Sequence, residues 1–248
     1  MASKIISVIG GSGYLGLNIL KEASKLKNVK LYSVSRSGKP KDVTMSENIN
    51  WVKGDALQPN HFEDILKESD IVIHTVGTLI DSSVTKLAKP GENGTYEQLN
   101  FETAKHIGDK LNELSDPLKK KKMIYISASR APPLLERYIT TKRKAEEHIS
   151  KLPNLTYTIL RPGYIISVKE RPITLPIKIA SDIQQFMMNL MPNTLFLKDC
   201  LKTFQLDGYV QMDDLCKTCL VAGLMEGYEN RIIENEEIAR IGGSVKYD

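Results

Sequence analysis

Three glycines, Gly10, Gly13 and Gly16, punctuate the stretch "SVIGGSGYLGLNIL" between an apolar run and an amphipathic one. A loop of this spacing, leaving a strand and opening a helix, is suited to holding a pyrophosphate. Gly10 permits the tight turn, Gly13 lets the backbone approach the phosphates, and Gly16 lets the helix lie close to its strand. The first helical turn, at Tyr14 and Leu15, then offers backbone N–H groups and the positive end of the helix dipole to the anion. A purely structural turn is the competing reading, and the flanking strand and helix weigh against it. The end of the second strand refines the ligand. NAD sites carry a carboxylate there, about 20 residues on, to accept the ribose hydroxyls. This chain has Ser35, Arg36 and Ser37 instead, with no carboxylate before Asp42. Arginine grips a 2′-phosphate that a carboxylate would repel. Arg36 therefore predicts NADP(H) over NAD(H), against the plainer reading of a surface arginine. Asp55 and Ala56, after the third strand, are placed to meet the adenine. Thr75, Val76 and Gly77, closing the fourth, would line the middle of the dinucleotide.

A second group could do chemistry. Tyr138 and Lys142 are four residues apart and so share one helix face, and the preceding strand ends in Ser127, Ala128 and Ser129. A free phenol titrates at about 10, too high for acid–base work at neutral pH; a neighbouring ammonium lowers it. With a serine hydroxyl orienting a substrate carbonyl and Tyr138 handling the proton, hydride could pass between a nicotinamide and the carbonyl carbon. Either Ser127 or Ser129 could fill the serine role.

These residues need a scaffold that gathers strand ends. Strand-like runs at 5–9, 29–35, 49–53, 71–75, 123–128 and 156–160 alternate with helical patterns at 15–24, 62–67, 96–113 and 138–151. The alternation predicts an α/β fold, a doubly wound parallel sheet of the Rossmann type, with ligand at the carboxyl ends of the strands. Residues 1–165 read as the dinucleotide-binding domain. Residues 166–248 read as a small C-terminal lobe of the same structural domain, packed over the carboxyl edge. Pro172, Pro176 and Pro192 break the rhythm there, and helices are expected at 177–191 and 213–225.

The 248 residues are 41% hydrophobic and 26% charged, with net charge +4. That profile fits one ordinary globular domain and lacks the clustered positive stripe of a nucleic-acid binder. Cys200, Cys216 and Cys219 are too few for a disulfide scaffold and point to a reducing compartment. Cys216 and Cys219 lack a second pair of ligands, so no metal is expected. No apolar run approaches the ~18 residues of a membrane span, and a strand begins at Lys4, leaving no room for a conventional leader. The lysines at 119–122 read as a solvated loop, with partner binding the lesser reading. His74 reads as packed or cofactor-flanking rather than as a base. The segment 177–191, with Met187, Met188 and Met191, reads as a lid helix. Its lesser reading is an apolar face for a lipid-like substrate, a membrane surface or a partner subunit.

Taken in order, "GGSGYLG", "GDAL", "YEQLNFETAKHI", "YISAS", "YITTKRKAEE", "ILRPGYI" and "VQMDDLC" resemble the extended or atypical short-chain dehydrogenase/reductases along essentially the whole chain. The resemblance implies NADP(H) as cofactor, with Pro162 and Lys142 among its contacts, and adds Asn100 to the catalytic set of Ser127, Tyr138 and Lys142. The chain departs from the family in carrying "HTVG" where an asparagine-rich motif often follows strand four, and in a short serine-to-tyrosine spacing. "SVSRSGKP", "IVIHTVGTLID" and "RIIENEEI" look closest to mitochondrial members of ubiquinone biosynthesis and of respiratory complex I. That likeness implies an accessory component of an assembly on the matrix side of the inner membrane. Its partners would be the other subunits and, peripherally, the membrane. The alternative is an active NADPH-dependent reductase of a carbonyl.

Overall fold

The computed structural model describes residues 3–41, 48–79, 81–82, 88–130, 135–167 and 208–245. Apolar side chains alternate across the central strands, as they must in a sheet covered on both faces. In β1 (Lys4–Ile9), Ile6 and Val8 face one layer and Ile9 the other. In β4 (Ile71–His74), Ile71 and Ile73 face the first layer and Val72 the second. β5 (Lys121–Ile126) repeats this with Ile124 and Ile126 against Met123 and Tyr125. The second layer is filled by α2 (Glu63–Glu68), α3 (Thr103–Leu114) and α4 (Glu136–Ser150) through Leu66, Ile107, Leu111 and Ile149. The first is filled by α1 (Tyr14–Ala23), α5 (Met212–Leu224) and α6 (Asn235–Ser244).

With β2 (Val29–Ser35), β3 (Ile49–Lys53), β6 (Leu155–Arg161) and β9 (Arg231–Glu234), the sheet has, among the described residues, seven strands in the order β3-β2-β1-β4-β5-β6-β9. All pair in parallel. Strand order reverses between β1 and β4, which opens a crevice at their carboxyl ends. β7 (Tyr164–Ile166) and β8 (Tyr209–Gln211) form a separate parallel ribbon.

The elements expected from periodicity are present with ends moved by one or two residues. The described part of the tail does more than the sequence predicts: besides β8 it supplies a seventh strand to the sheet and two core helices to one face. β9 has one buried residue, Ile233, between charged and exposed ones. A short edge strand of that kind has no alternating signature to read. The expected helix at 177–191 lies outside the described residues, as do Asp42, Cys200 and the three prolines of that segment.

Candidate functional site

At the crevice, β1 ends in Ile9 and the chain turns at Gly10, whose φ of +89° suits glycine. A side chain there would also meet Thr75 Oγ1 at 2.7 Å. Gly16 lies so close beneath the loop that a Cβ would approach Gly10 O at 2.5 Å. Gly13 is different: apart from Gly10 O at 3.1 Å, space opens above it. Gly13 caps α1 with extended backbone and no side-chain hydrogen bond, and the first turn carries no acidic residue. The N–H groups at Tyr14 and Leu15 thus keep the arrangement that attracts an anion. These are the features a pyrophosphate needs.

The end of β2 stands beside this loop. Ser37 Oγ donates to Ser12 Oγ at 3.0 Å, and Ser35 Oγ to Gly38 O at 3.2 Å. Between them Arg36 is exposed, with no ion pair or hydrogen bond among the described residues. After β3, Asp55 Oδ1 accepts the Leu57 N–H at 3.0 Å and Ala56 is buried, so the turn is rigid. Thr75 ties β4 to β1, its N–H and hydroxyl both donating to Ile9 O at 2.9 Å. Val76 and Gly77 follow along the crevice.

Asn100 clamps the next residue. It is fully buried, its Oδ1 accepts the Thr78 N–H at 2.8 Å, and its Nδ2 donates to Thr78 O at 3.1 Å. It sits in a π-helical turn, Glu97–Glu102, that precedes α3. Such turns leave carbonyls without their usual helical partner, and Asn100 O accepts the Tyr125 hydroxyl at 3.0 Å. Asn100 therefore positions the loop 77–78.

Lys142 is buried, donates to Ile126 O at 2.9 Å and lies 5.0 Å from the Tyr125 ring centroid. A Cβ on Gly77 would sit 3.1 Å from its Nζ, so the ammonium lies directly under the crevice. Burial pulls its pKa down to about 8, with Glu146 opposing. His74, also fully buried, is 5.7 Å from Tyr125 ring to ring. Burial, reinforced by Lys142, pulls it down to about 3, so it is neutral packing and not a base at physiological pH.

Tyr138 does not meet the expectation set for it. Its ring packs edge-on against Tyr96 at 5.7 Å. Burial first, then Tyr96, pushes its phenol up to about 12, and the cation that opposes this is Arg143, not Lys142. The expected lowering by Lys142 is absent because that ammonium points at Ile126 O. Ser127 is engaged as well: its hydroxyl donates to the buried Glu146 carboxylate. Glu146 also accepts from Arg143 and, at 3.1 and 2.5 Å, from Nε and Nη2 of Arg161. Arg161 reaches on to Glu234 at 2.8 Å. Sequence reasoning missed this buried network; the four-residue spacing from Lys142 to Glu146 was its only signal. Ser129 N donates to the carbonyl of buried Pro162 at 2.9 Å, joining the ends of β5 and β6. Cys216 and Cys219 are buried in α5, and burial pushes the Cys219 thiol far up, which makes it inert.

The sequence model of one family, described as NAD(P)H-binding, matches residues 10–185. The chain belongs to this NAD(P)H-binding family. Its resemblance to atypical short-chain dehydrogenase/reductases is borne out by the sheet, the glycine loop and the match together. Among proteins similar to it is MIOREX complex component 2 of Saccharomyces cerevisiae, 27% identical over 66% of this chain and 73% of that one. An uncharacterized chloroplastic protein of Arabidopsis thaliana is 30% identical over 66% of this chain, which spans about half (51%) of the plant protein. Among solved structures, WbmF of Bordetella bronchiseptica in complex with NAD+ covers all of this chain and 81% of its own, with TM-score 0.61 and 15% identity. The epimerase Mth375 of Methanothermobacter thermautotrophicus covers 94% of this chain and 71% of its own, with TM-score 0.63 and 17% identity. At that identity the likeness is one of fold.

Proposed function

We propose that this NAD(P)H-binding protein holds NADP(H) and serves as an accessory component of a mitochondrial, membrane-associated assembly, of ubiquinone biosynthesis or of the respiratory chain. The observation that carries the cofactor choice is Arg36, exposed and with no ion pair or hydrogen bond among the described residues, at the adenosine end of an acid-free loop. The 2′-phosphate would pair with that guanidinium, and the pyrophosphate would lie over Gly13 on the first turn of α1. Lys142 and the clamped loop 75–78 would meet the nicotinamide half. Bound there, the cofactor supplies or accepts a hydride.

Two observations favour the accessory role over turnover. Ser127 is committed to Glu146, and the Tyr138 phenol is held at about 12 instead of being brought toward neutrality. A complex component among its relatives agrees with this role, and the likeness to mitochondrial short-chain reductases supports the compartment. Tight nucleotide binding then acts on stability, since a ligand bound only by the folded state raises it by mass action.

Melting curves test the reading. NADPH should raise Tm well above the shift produced by equal NADH, and Arg36→Ala should remove the difference by weakening NADPH about tenfold or more. Equal shifts from both nucleotides, or none, would reject the 2′-phosphate assignment.

A further inference from the structure

The molecule has a second edge, opposite the crevice, where the strands begin. We infer that this amino edge, around the turn at Asp116–Lys119, is a docking face for an anionic lipid surface. Leu118 is 98% exposed at its tip. It is held there: its N–H donates to Asp116 Oδ1 at 2.8 Å, Lys119 N–H closes the turn on Asp116 O at 3.0 Å, and Pro117 stiffens the step between. Met225, also exposed (57%), lies on the same edge, its carbonyl 3.2 Å from Lys122 Nζ.

Lysines outnumber carboxylates around these apolar tips. Lys120 Nζ donates to Pro153 O at 2.7 Å, and Lys121 Nζ to Lys67 O and Ser69 O at 2.7 and 2.9 Å. Those acceptors are neutral carbonyls, and the helix end at α2 offsets only about half a charge. Lys67 is exposed and forms no ion pair among the described residues. Asp70 offsets Lys119 at 3.5 Å and Glu229 offsets Lys122 at 2.6 Å. Lys67, Lys120 and Lys121 therefore stand against Asp116 and the exposed Glu226 beside Met225, leaving a modest excess of positive charge. A rigid leucine ringed by lysines fits an interface of acidic headgroups over acyl chains, where each element is favourable. An acidic protein would satisfy the lysines but would also need pockets matched to Leu118 and Met225, whereas acyl chains accept protruding apolar side chains without one, so the lipid surface is the occupant the geometry favours. Docked this way, the crevice faces away from the bilayer, so nucleotide and membrane bind independently.

Co-sedimentation of the full chain with vesicles tests this. Vesicles of phosphatidylcholine with about one part in five phosphatidylserine should bind it, pure phosphatidylcholine should not, and raised salt should weaken the binding. Leu118→Asp and Lys120→Glu should each lower partitioning about tenfold, with unchanged melting curves because both side chains are exposed. NADPH should leave partitioning unaltered whether or not it proves to be the preferred nucleotide. The proposal is overturned by absent binding, by equal binding to both vesicle types, or by variants that bind like the parent. Competition between nucleotide and vesicle, or binding at these lysines by an acidic polypeptide but not by vesicles, would overturn it as well.

Discussion

His74 shows how one residue type in one environment loses its usual chemistry. The strand places it against the Tyr125 ring, away from water and within the field of the Lys142 ammonium, and its folded pKa falls from the ordinary 6.5 to about 3. Between those values the unfolded chain takes up a proton that the folded one refuses. Its contribution to stability is therefore complete above about pH 6.5 and is lost as pH falls toward 3, a change on the order of a few kcal/mol. Urea unfolding at neutral and mildly acid pH should show this loss, and His74→Leu should flatten it. An unaltered pH profile in the variant would show that other groups govern acid unfolding. Tyr138 carries the same lesson, because Tyr-x-x-x-Lys spacing brings two side chains to one helix face without deciding where either points. The ammonium turned inward to Ile126 O, and the phenol kept its proton more firmly than in water.

At the scale of elements, the carboxyl edge is held by a few buried polar joints. Asn100 fastens the π-helical turn to the loop after β4, and Glu146 on α4 gathers β5 through Ser127, β6 through Arg161 and, beyond it, β9 through Glu234. A buried carboxylate shared by two guanidiniums is costly to desolvate and costly to break. Glu146→Gln, leaving Arg143 without its anion and Arg161 dependent on the more exposed Glu234, should lower stability by about 3 kcal/mol. Denaturant titration measures it, and a loss below about 1 kcal/mol, as for an exposed pair, would show that water compensates the arginines. The network also explains why the end of β5 is poorly suited to present Ser127 to a substrate.

For the whole molecule, the distinguishing experiment concerns Tyr138. In the accessory reading Tyr138→Phe removes one hydroxyl and leaves the nucleotide crevice intact. Nucleotide-dependent stabilisation and migration of the protein with its native assembly should then persist. Loss of cellular function with assembly retained would instead point to turnover. The sequence by itself determined the alternating layers, the glycine loop, Arg36 at its rim and the family, because periodicity and backbone-demanding glycines are local signals that packing seldom overrides. It also marked Asn100, Lys142 and Tyr138 as belonging near one site. Only the tertiary structure decided their partners. Whether Lys142 faced Tyr138 or Ile126 O, whether Ser127 was free or bonded to Glu146, and whether residues 231–234 joined the sheet all depend on contacts between residues far apart in the chain. Desolvation and charge pairing at those contacts fixed the chemistry, and no local pattern encodes them.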